Sequence, residues 1–158
     1  MRHTPHVAFV ILTVVFGACA PKAPVDLAAE REALLALHER ILDAHRTDNL
    51  DDWLALEADT VVVGSRGELF RSPKSESAGM RRNYLAAAEF SAYRDLQPPI
   101  VHVSGDGSLG WVFAQVEIVG RYLVPDTTSI HDVWAWVELY ERRPEGWRLV
   151  GNVSTAKP

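Results

Sequence analysis

The sequence predicts an α+β domain in which three helices pack on one face of an antiparallel sheet. Helical patterns are confined to the first half of the folded part, and strand patterns separated by turn residues fill the second half. Elements in that order bury their apolar sides by packing the helices together on one face of the sheet. The 158-residue chain is 47% hydrophobic, which suffices for the core of one domain of this length.

Three helices are expected in the first half of the domain. The first, residues 26–46, is the longest, because leucine and isoleucine recur there at helical spacing. The second, residues 50–58, follows Asp48 and Asn49, either of which can cap it. The third, residues 73–89, begins with proline, a favoured first residue of a helix.

About six strands are expected, most of them after the helices. The β-branched segment 60–65 predicts a strand, which Arg66-Gly67 turns back on itself. After the third helix, alternating segments between residues 90 and 154 predict an antiparallel meander. Asp106-Gly107 is a strong hairpin signal within this meander.

Cys19 is the only cysteine of the chain and follows a short apolar segment. Arg2 and His3 precede an uninterrupted apolar run over residues 7–16, which is typical of a secretory signal and too short for a stable membrane span. The small residues directly before Cys19 resemble the lipobox of bacterial lipoproteins, in which the cysteine becomes the first mature residue and is lipidated. The alternative is an ordinary signal peptide in which the cysteine has no role.

The lipoprotein interpretation sets the domain boundaries and the location. We expect a signal peptide over residues 1–18, a tether with lipidated Cys19 over residues 19–25, and one domain over residues 26–158. Two or more acyl chains anchor a protein stably to a membrane. By resemblance to sorting in diderm bacteria, a residue other than aspartate after the cysteine favours the periplasmic face of the outer membrane in the bacterial cell envelope.

Charge and spacing exclude some classes of partner. The formal net charge is −5 and no cluster of lysine and arginine occurs, so nucleic acid is not an expected partner. His38 and His45 share one face of the first helix, but metal ligands on neighbouring turns stand three or four residues apart. We therefore expect neither a metal nor a cofactor.

Four segments carry a family resemblance: TDNLDDWLALEAD, VVVGSRGELF, SPKSESAGMRRNYL and WVELYERRPEGWRLVGNVS. Together they resemble the SnoaL-like branch of the nuclear-transport-factor-2-like (NTF2-like) superfamily, over nearly all of residues 26–158. The resemblance implies a cone, in which a curved antiparallel sheet wraps around the long N-terminal helix and leaves a pocket at its open end. It also implies a homodimer formed through the sheet. Because this superfamily includes isomerases, dehydratases, cyclases and non-catalytic binding modules, the fold leaves the function open.

Alternation along the two long strands of the meander identifies candidate pocket residues. One side of each strand is small and aliphatic, and the other carries large aromatic residues with a carboxylate or an amide. That aromatic side lines either a ligand cavity or the dimer interface, and the sequence leaves both open. The pocket candidates, with two tyrosines from other elements, are Tyr84, Tyr93, Trp111, Gln115, Glu117, Trp134 and Trp136.

The catalytic residues stay unassigned, because no residue falls in a recognisable catalytic motif. The titratable candidates are Asp95, Glu117, His102, His131, Tyr84 and Tyr93. In an isomerase of the ketosteroid-isomerase type, a carboxylate would be the base and a tyrosine would donate a hydrogen bond to the enolate. In a dehydratase, one of the histidines would take part.

Three functions are compatible with these observations. The first is a lipid-anchored envelope protein whose cone binds a small, largely apolar molecule, and it predicts an aromatic cavity without strongly perturbed titratable groups. The second is an isomerase, cyclase or dehydratase, which predicts a buried carboxylate or histidine within reach of a tyrosine. The third is an envelope protein-protein interaction module, which predicts a filled or narrow cone and an exposed apolar patch.

Overall fold

The computed structural model of the protein describes residues 24–157. The expected signal peptide, Cys19 and most of the expected tether lie outside the described residues, so the lipid anchor stays a prediction. Within residues 24–157, no helix has the length and the apolar character that a membrane span requires.

The described part contains three helices, in the places that the sequence predicts. They are α1 (Leu27–Arg46), α2 (Leu50–Leu56) and α3 (Lys74–Ala86). The Asp26 carboxylate caps α1 by accepting hydrogen bonds from the amides of Ala28 and Ala29, each at 3.1 Å. The Asn49 side chain caps α2 by accepting from the Asp52 amide at 3.0 Å. Both caps supply acceptors for amides that lack partners in the first turn of a helix.

The described residues also contain seven strands. They are β1 (Glu57–Ser65), β2 (Glu68–Pro73), β3 (Ala88–Asp95), β4 (Ile100–Val103), β5 (Leu109–Tyr122), β6 (Thr128–Arg143) and β7 (Gly146–Ala156). The predicted ends of α2 and α3 are two to three residues too long, because β1 and β3 begin there. The observed strand count is one above the expected number of about six.

The seven strands form one curved, open sheet, which confirms the α+β cone architecture. The order is β2-β1-β7-β6-β5-β3, and β4 also pairs with β5. One detail of the prediction is wrong: the sheet is mixed, because β1 pairs with β7 in parallel. These two strands come from opposite ends of the domain, so no hairpin connects them and no turn forces them to be antiparallel.

Helix α1 packs against the concave face of the sheet and forms the centre of the core. Leu34 of α1 and Val112 of β5 are fully buried there, together with Tyr140 of β6. Helix and sheet approach so closely at Gly110 that a Cβ at this position would clash with the Leu34 side chain. The concave face is therefore defined by the side chains that point towards α1.

The register of β5 and β6 decides which long-strand residues share the concave face. Val112 lies opposite Glu138, Ala114 opposite Trp136, and Val116 opposite Trp134. The aliphatic side of β5 and the aromatic side of β6 therefore lie together on the concave face. The expectation that the two aromatic sides share one face is wrong, because pairing in the β5–β6 hairpin joins even-numbered residues to even-numbered ones.

Candidate functional site

A cavity of about 370 Å³ lies between the concave face of the sheet and the three helices. Its volume falls in the range of small-molecule sites. Aromatic side chains supply much of its wall: Trp53, Tyr84, Phe90, Tyr93, Tyr122, Trp134 and Trp136. Titratable and amide side chains also border it: His45, Arg66, Arg81, Asp132, Glu138 and Asn152. The cone is thus neither filled nor purely apolar.

Four of the seven pocket candidates border this cavity. They are Tyr84 on α3, Tyr93 on β3, and Trp134 and Trp136 on β6. The Tyr93 ring stacks on the His45 ring, with 4.3 Å between the ring centroids. Burial raises the pKa of Tyr93 well above its usual value and that of Tyr84 to about 12, so both hydroxyls stay protonated and can donate.

The other three candidates, Trp111, Gln115 and Glu117, do not border the cavity, because they point to the convex face of β5. Glu117 instead accepts hydrogen bonds from Arg94 at 2.7 Å and His131 at 3.1 Å. The hydrogen bond from Arg94, and to a smaller extent the one from His131, lowers the pKa of the Glu117 carboxyl. Glu117 therefore belongs to a surface ion-pair group and is no base for chemistry in the cavity.

The two histidines considered for a dehydratase lie on the same outer side. His102 is exposed and stacks on Trp111 at 5.7 Å between ring centroids. His131 is exposed and pairs with Glu117. Neither histidine borders the cavity, so the geometry assigns them no part in its chemistry.

His45 is the histidine that borders the cavity, and it is buried. Its Nδ1–H donates to the Ile41 carbonyl at 2.6 Å, which leaves the lone pair of Nε2 available to a ligand. Burial against Trp53 and Tyr93, reinforced by the charge of Arg81, lowers the pKa of His45 to about 4. At neutral pH His45 is a neutral hydrogen-bond acceptor within an aromatic wall.

A second buried group lies beneath the cavity and is charged. His38 of α1 donates from Nδ1 to Glu138 at 3.0 Å and from Nε2 to Asp95 at 3.1 Å. The Tyr140 hydroxyl donates to the second oxygen of Glu138 at 2.9 Å. His38 and Glu138 are each 1% exposed. We call His38, Asp95, Glu138 and Tyr140 the carboxylate-histidine cluster.

The protonation of His38 follows from its two acidic partners. Burial alone would lower the pKa of His38, but hydrogen bonds to Asp95 and Glu138, with their charges, outweigh it and raise the pKa to about 10. His38 is therefore an imidazolium at neutral pH and donates from both nitrogens. Because Glu138 borders the cavity and already accepts from His38 and Tyr140, it supplies a fixed, hydrogen-bonded carboxylate at the cavity wall.

Arg81 on α3 is held at another part of the wall. Its guanidinium bonds the buried Glu57 carboxylate and lies over the Trp53 ring at 4.1 Å. Ser77 donates to the other oxygen of Glu57 at 3.2 Å. The bonds from Arg81 and Ser77 satisfy Glu57, as a fully buried carboxylate requires. Arg81 is thereby fixed facing the cavity.

Sequence reasoning missed the groups that matter most here. It considered His38 and His45 only as metal ligands and left Glu138 and Arg81 out of the candidate set. A signal was present, because both histidines fall on the leucine-rich, buried stripe of α1. A titratable residue on a core-facing stripe needs a charged partner or stays neutral. His38 has carboxylate partners, and His45 is neutral.

The fold is that of NTF2-like proteins, as comparison with solved structures shows. No protein-family model and no curated protein matches the sequence. A nuclear transport factor 2 (NTF2-like) superfamily protein from Salmonella enterica aligns with a TM-score of 0.71 and 14% identity, over 83% of this chain and 93% of that one.

Two other solved structures carry functional descriptions. A ketosteroid isomerase-like protein from Erwinia carotovora atroseptica aligns with a TM-score of 0.67 and 16% identity, over 82% of this chain and 98% of that one. A proposed dehydratase of the NTF2-like family from Streptomyces avermitilis aligns with a TM-score of 0.67 and 14% identity, over 80% and 95% of the two chains. At such identities the likeness extends to the fold alone.

Proposed function

We propose that the domain binds a small, largely apolar molecule with a planar body inside the cone. The observation that carries this proposal is the cavity of about 370 Å³, which is lined by the seven aromatic side chains named above. Aromatic walls favour flat apolar ligands through stacking and edge contacts, while a few polar groups fix their orientation. His45 and Tyr93 supply such polar groups as a neutral acceptor and a protonated donor.

The test uses a fluorescent apolar probe and two neighbouring substitutions on one strand. Ile118 borders the cavity and Val119 points to the convex face. N-phenyl-1-naphthylamine should bind the wild-type protein and gain fluorescence, because the cavity excludes water. Ile118→Trp should fill the cavity and abolish the gain, whereas Val119→Trp should leave it unchanged. Equal fluorescence from both variants would show that the probe binds elsewhere.

A second candidate function, proton transfer of the isomerase or dehydratase type, is favoured by His45. The binding hypothesis predicted a cavity without strongly shifted titratable groups, and His45 departs from that expectation. A neutral imidazole stacked on a protonated tyrosine can accept a proton from a ligand while Tyr93 donates to the developing oxyanion. The ketosteroid isomerase-like and proposed dehydratase proteins of the same fold make this chemistry a reasonable one to test.

Proton transfer can be tested without knowing the natural substrate. In deuterium oxide, an enolisable ketone such as 2-acetylnaphthalene should incorporate deuterium at its methyl group faster with protein than in buffer. His45→Gln should remove the acceleration, and His102→Gln, on the convex face, should keep it. Because the pKa of His45 is about 4, the acceleration should persist at neutral pH and fall below about pH 4. Incorporation at the buffer rate would exclude enolisation of this ketone.

We also propose that a second copy of the chain covers the convex face. A row of mutually opposite, mostly apolar residues crosses six strands: Ile100, Phe113, Val137, Val153, Gly64 and Leu69. Four of them are between 46% and 75% exposed. An uncharged row suits an identical row across a two-fold axis, since neither side needs a complementary charge. Phe113→Glu should halve the mass in light scattering, whereas Arg82→Glu on α3 should not; an unchanged mass for Phe113→Glu would refute the interface.

The lipid anchor completes the proposal and rests on the sequence around Cys19. Acylation of Cys19 would hold the cone at a membrane surface of the cell envelope, within reach of apolar molecules that partition into lipid. Cys19→Ser should abolish labelling by radioactive fatty acid and release the protein from membranes. Retention of the variant on membranes would refute the anchor without touching the cavity proposal.

A further inference from the structure

A second, smaller chamber of about 180 Å³ lies beside the main cavity. Four residues border both spaces: Trp53, Val63, Arg81 and Tyr84. The remaining walls of the chamber come from Phe70, Ser72 and Met80. The main cavity and this side chamber therefore share part of their walls.

The walls of this side chamber contain unsatisfied hydrogen-bond donors. Among residues 24–157, only three buried side-chain polar atoms lack a partner: Ser72 Oγ, Arg81 Nε and Trp136 Nε1. Two of the three belong to the side chamber, and Ser72 is 3% exposed. Nearly all buried polar groups in proteins are paired, so two unpaired ones at one small chamber need a physical reason. Both can donate a hydrogen, so an acceptor oxygen within reach of either atom would satisfy it.

The charge balance of the chamber selects the kind of acceptor. Arg81 is the single basic residue among the chamber walls, and Glu57, which has no exposed side-chain surface, already bonds it. A carboxylate entering the chamber would therefore meet a guanidinium whose charge is balanced, and it would repel Glu57. A neutral carbonyl oxygen would accept the same hydrogen bonds without that repulsion.

We propose that the side chamber is a subsite for a neutral carbonyl oxygen of the ligand, which accepts hydrogen bonds from Ser72 Oγ and Arg81 Nε. The apolar body of the same ligand occupies the main cavity, so this inference rests on the proposed function and adds the polar end of the ligand to it. Glu57 and Trp53 act as positioning residues, because they hold the guanidinium by an ion pair and by stacking at 4.1 Å.

The experiment compares two probes that differ by one carbonyl. Displacement of N-phenyl-1-naphthylamine from the full chain gives the affinities of 2-acetylnaphthalene and 2-ethylnaphthalene. We expect the ketone to bind about tenfold more tightly, the value of one or two net hydrogen bonds. Ser72→Ala and Arg81→Lys should each remove most of this preference, and Arg81→Lys keeps a cation for Glu57. Ser72→Ala should leave the affinity for 2-ethylnaphthalene unchanged, because Ser72 borders the side chamber and not the main cavity. Ser75→Ala, on the exposed side of α3, should keep the full preference.

The outcomes separate the subsite from the cavity. If N-phenyl-1-naphthylamine fails to bind, the proposed function is wrong and the subsite falls with it. If the fluorescent probe binds but ketone and hydrocarbon compete equally, the cavity stands and the subsite is refuted. A 2-naphthoate affinity equal to or above that of the ketone would overturn the neutral assignment. An unchanged ketone preference in folded Ser72→Ala would show that this hydroxyl makes no bond to the ligand.

Discussion

The carboxylate-histidine cluster should make this domain less stable as the pH rises above neutral. The pKa of His38 is about 10 in the folded protein, against 6.5 for an ordinary histidine. Between these two values the folded state keeps a proton that the unfolded state releases. The stabilisation is therefore fully present below pH 6.5 and is lost as the pH rises towards 10.

The magnitude follows from the size of the pKa shift. Each pH unit within this window corresponds to about 1.4 kcal/mol, so raising the pH from 7 to 9 should lower the free energy of unfolding by about 2 to 3 kcal/mol. Small domains have total stabilities of about 5 to 15 kcal/mol, which makes the change a large fraction of the whole. Urea unfolding at pH 7, 8 and 9, followed by tryptophan fluorescence, would measure it.

Two variants identify the source of the pH dependence. His38→Gln removes the titrating group and leaves Glu138 with a weaker donor, so it should cost about 3 to 5 kcal/mol at pH 7 and flatten the slope between pH 7 and 9. His102→Gln, at an exposed position on the convex face, should retain the wild-type slope. If wild type and His38→Gln lost stability in parallel over this range, the inferred imidazolium would be wrong.

Three further predictions address other parts of the molecule. The pKa of His45 is lowered to about 4, so on acidification the unfolded state binds a proton at a higher pH than the folded state does. The wild type should therefore lose stability as the pH falls from 6.5 towards 4, and His45→Phe should lose less in the same urea titration. Gly110→Ala places a methyl group against Leu34 and should cost about 1 to 3 kcal/mol in urea unfolding, while an unchanged stability would show that α1 shifts freely. Trp134→Leu, at the cavity, should weaken N-phenyl-1-naphthylamine binding several-fold, whereas Trp111→Leu, on the convex face, should not; equal effects would contradict the assignment of the two faces.

Much of the fold could be predicted because local signals coincide with its elements. The capped leucine stripe of α1 and the Asp106-Gly107 turn before β5 each fix an element by local chemistry. The parallel pairing of β1 with β7 could not be predicted in the same way. This pairing joins segments far apart in the chain, and the residues of either strand do not indicate which strand it pairs with.

The candidate site was predictable only in part, for a related reason. Alternation within β5 and within β6 correctly separates the two sides of each strand. It does not say which sides meet, because that depends on the register across the five-residue loop between Tyr122 and Thr128. Trp134 and Trp136 therefore reached the cavity while Trp111, Gln115 and Glu117 did not. The alternation in each strand predicts its two faces, and the register between the two strands decides which faces line the site.

The two histidines of α1 show how the same fold sets opposite chemistry on one helix face. His38 and His45 are seven residues apart and both buried, yet one has a raised pKa and the other a lowered pKa. The difference lies in what faces each histidine: carboxylates from β3 and β6 face His38, whereas the rings of Tyr93 on β3 and Trp53 on α2 face His45. Because Glu138 is engaged by the charged histidine, it is not free to act as a base. In the proposed proton transfer, His45 is therefore the buried acceptor at the aromatic wall, and the hydrogen-bonded cluster holds the neighbouring part of that wall in place.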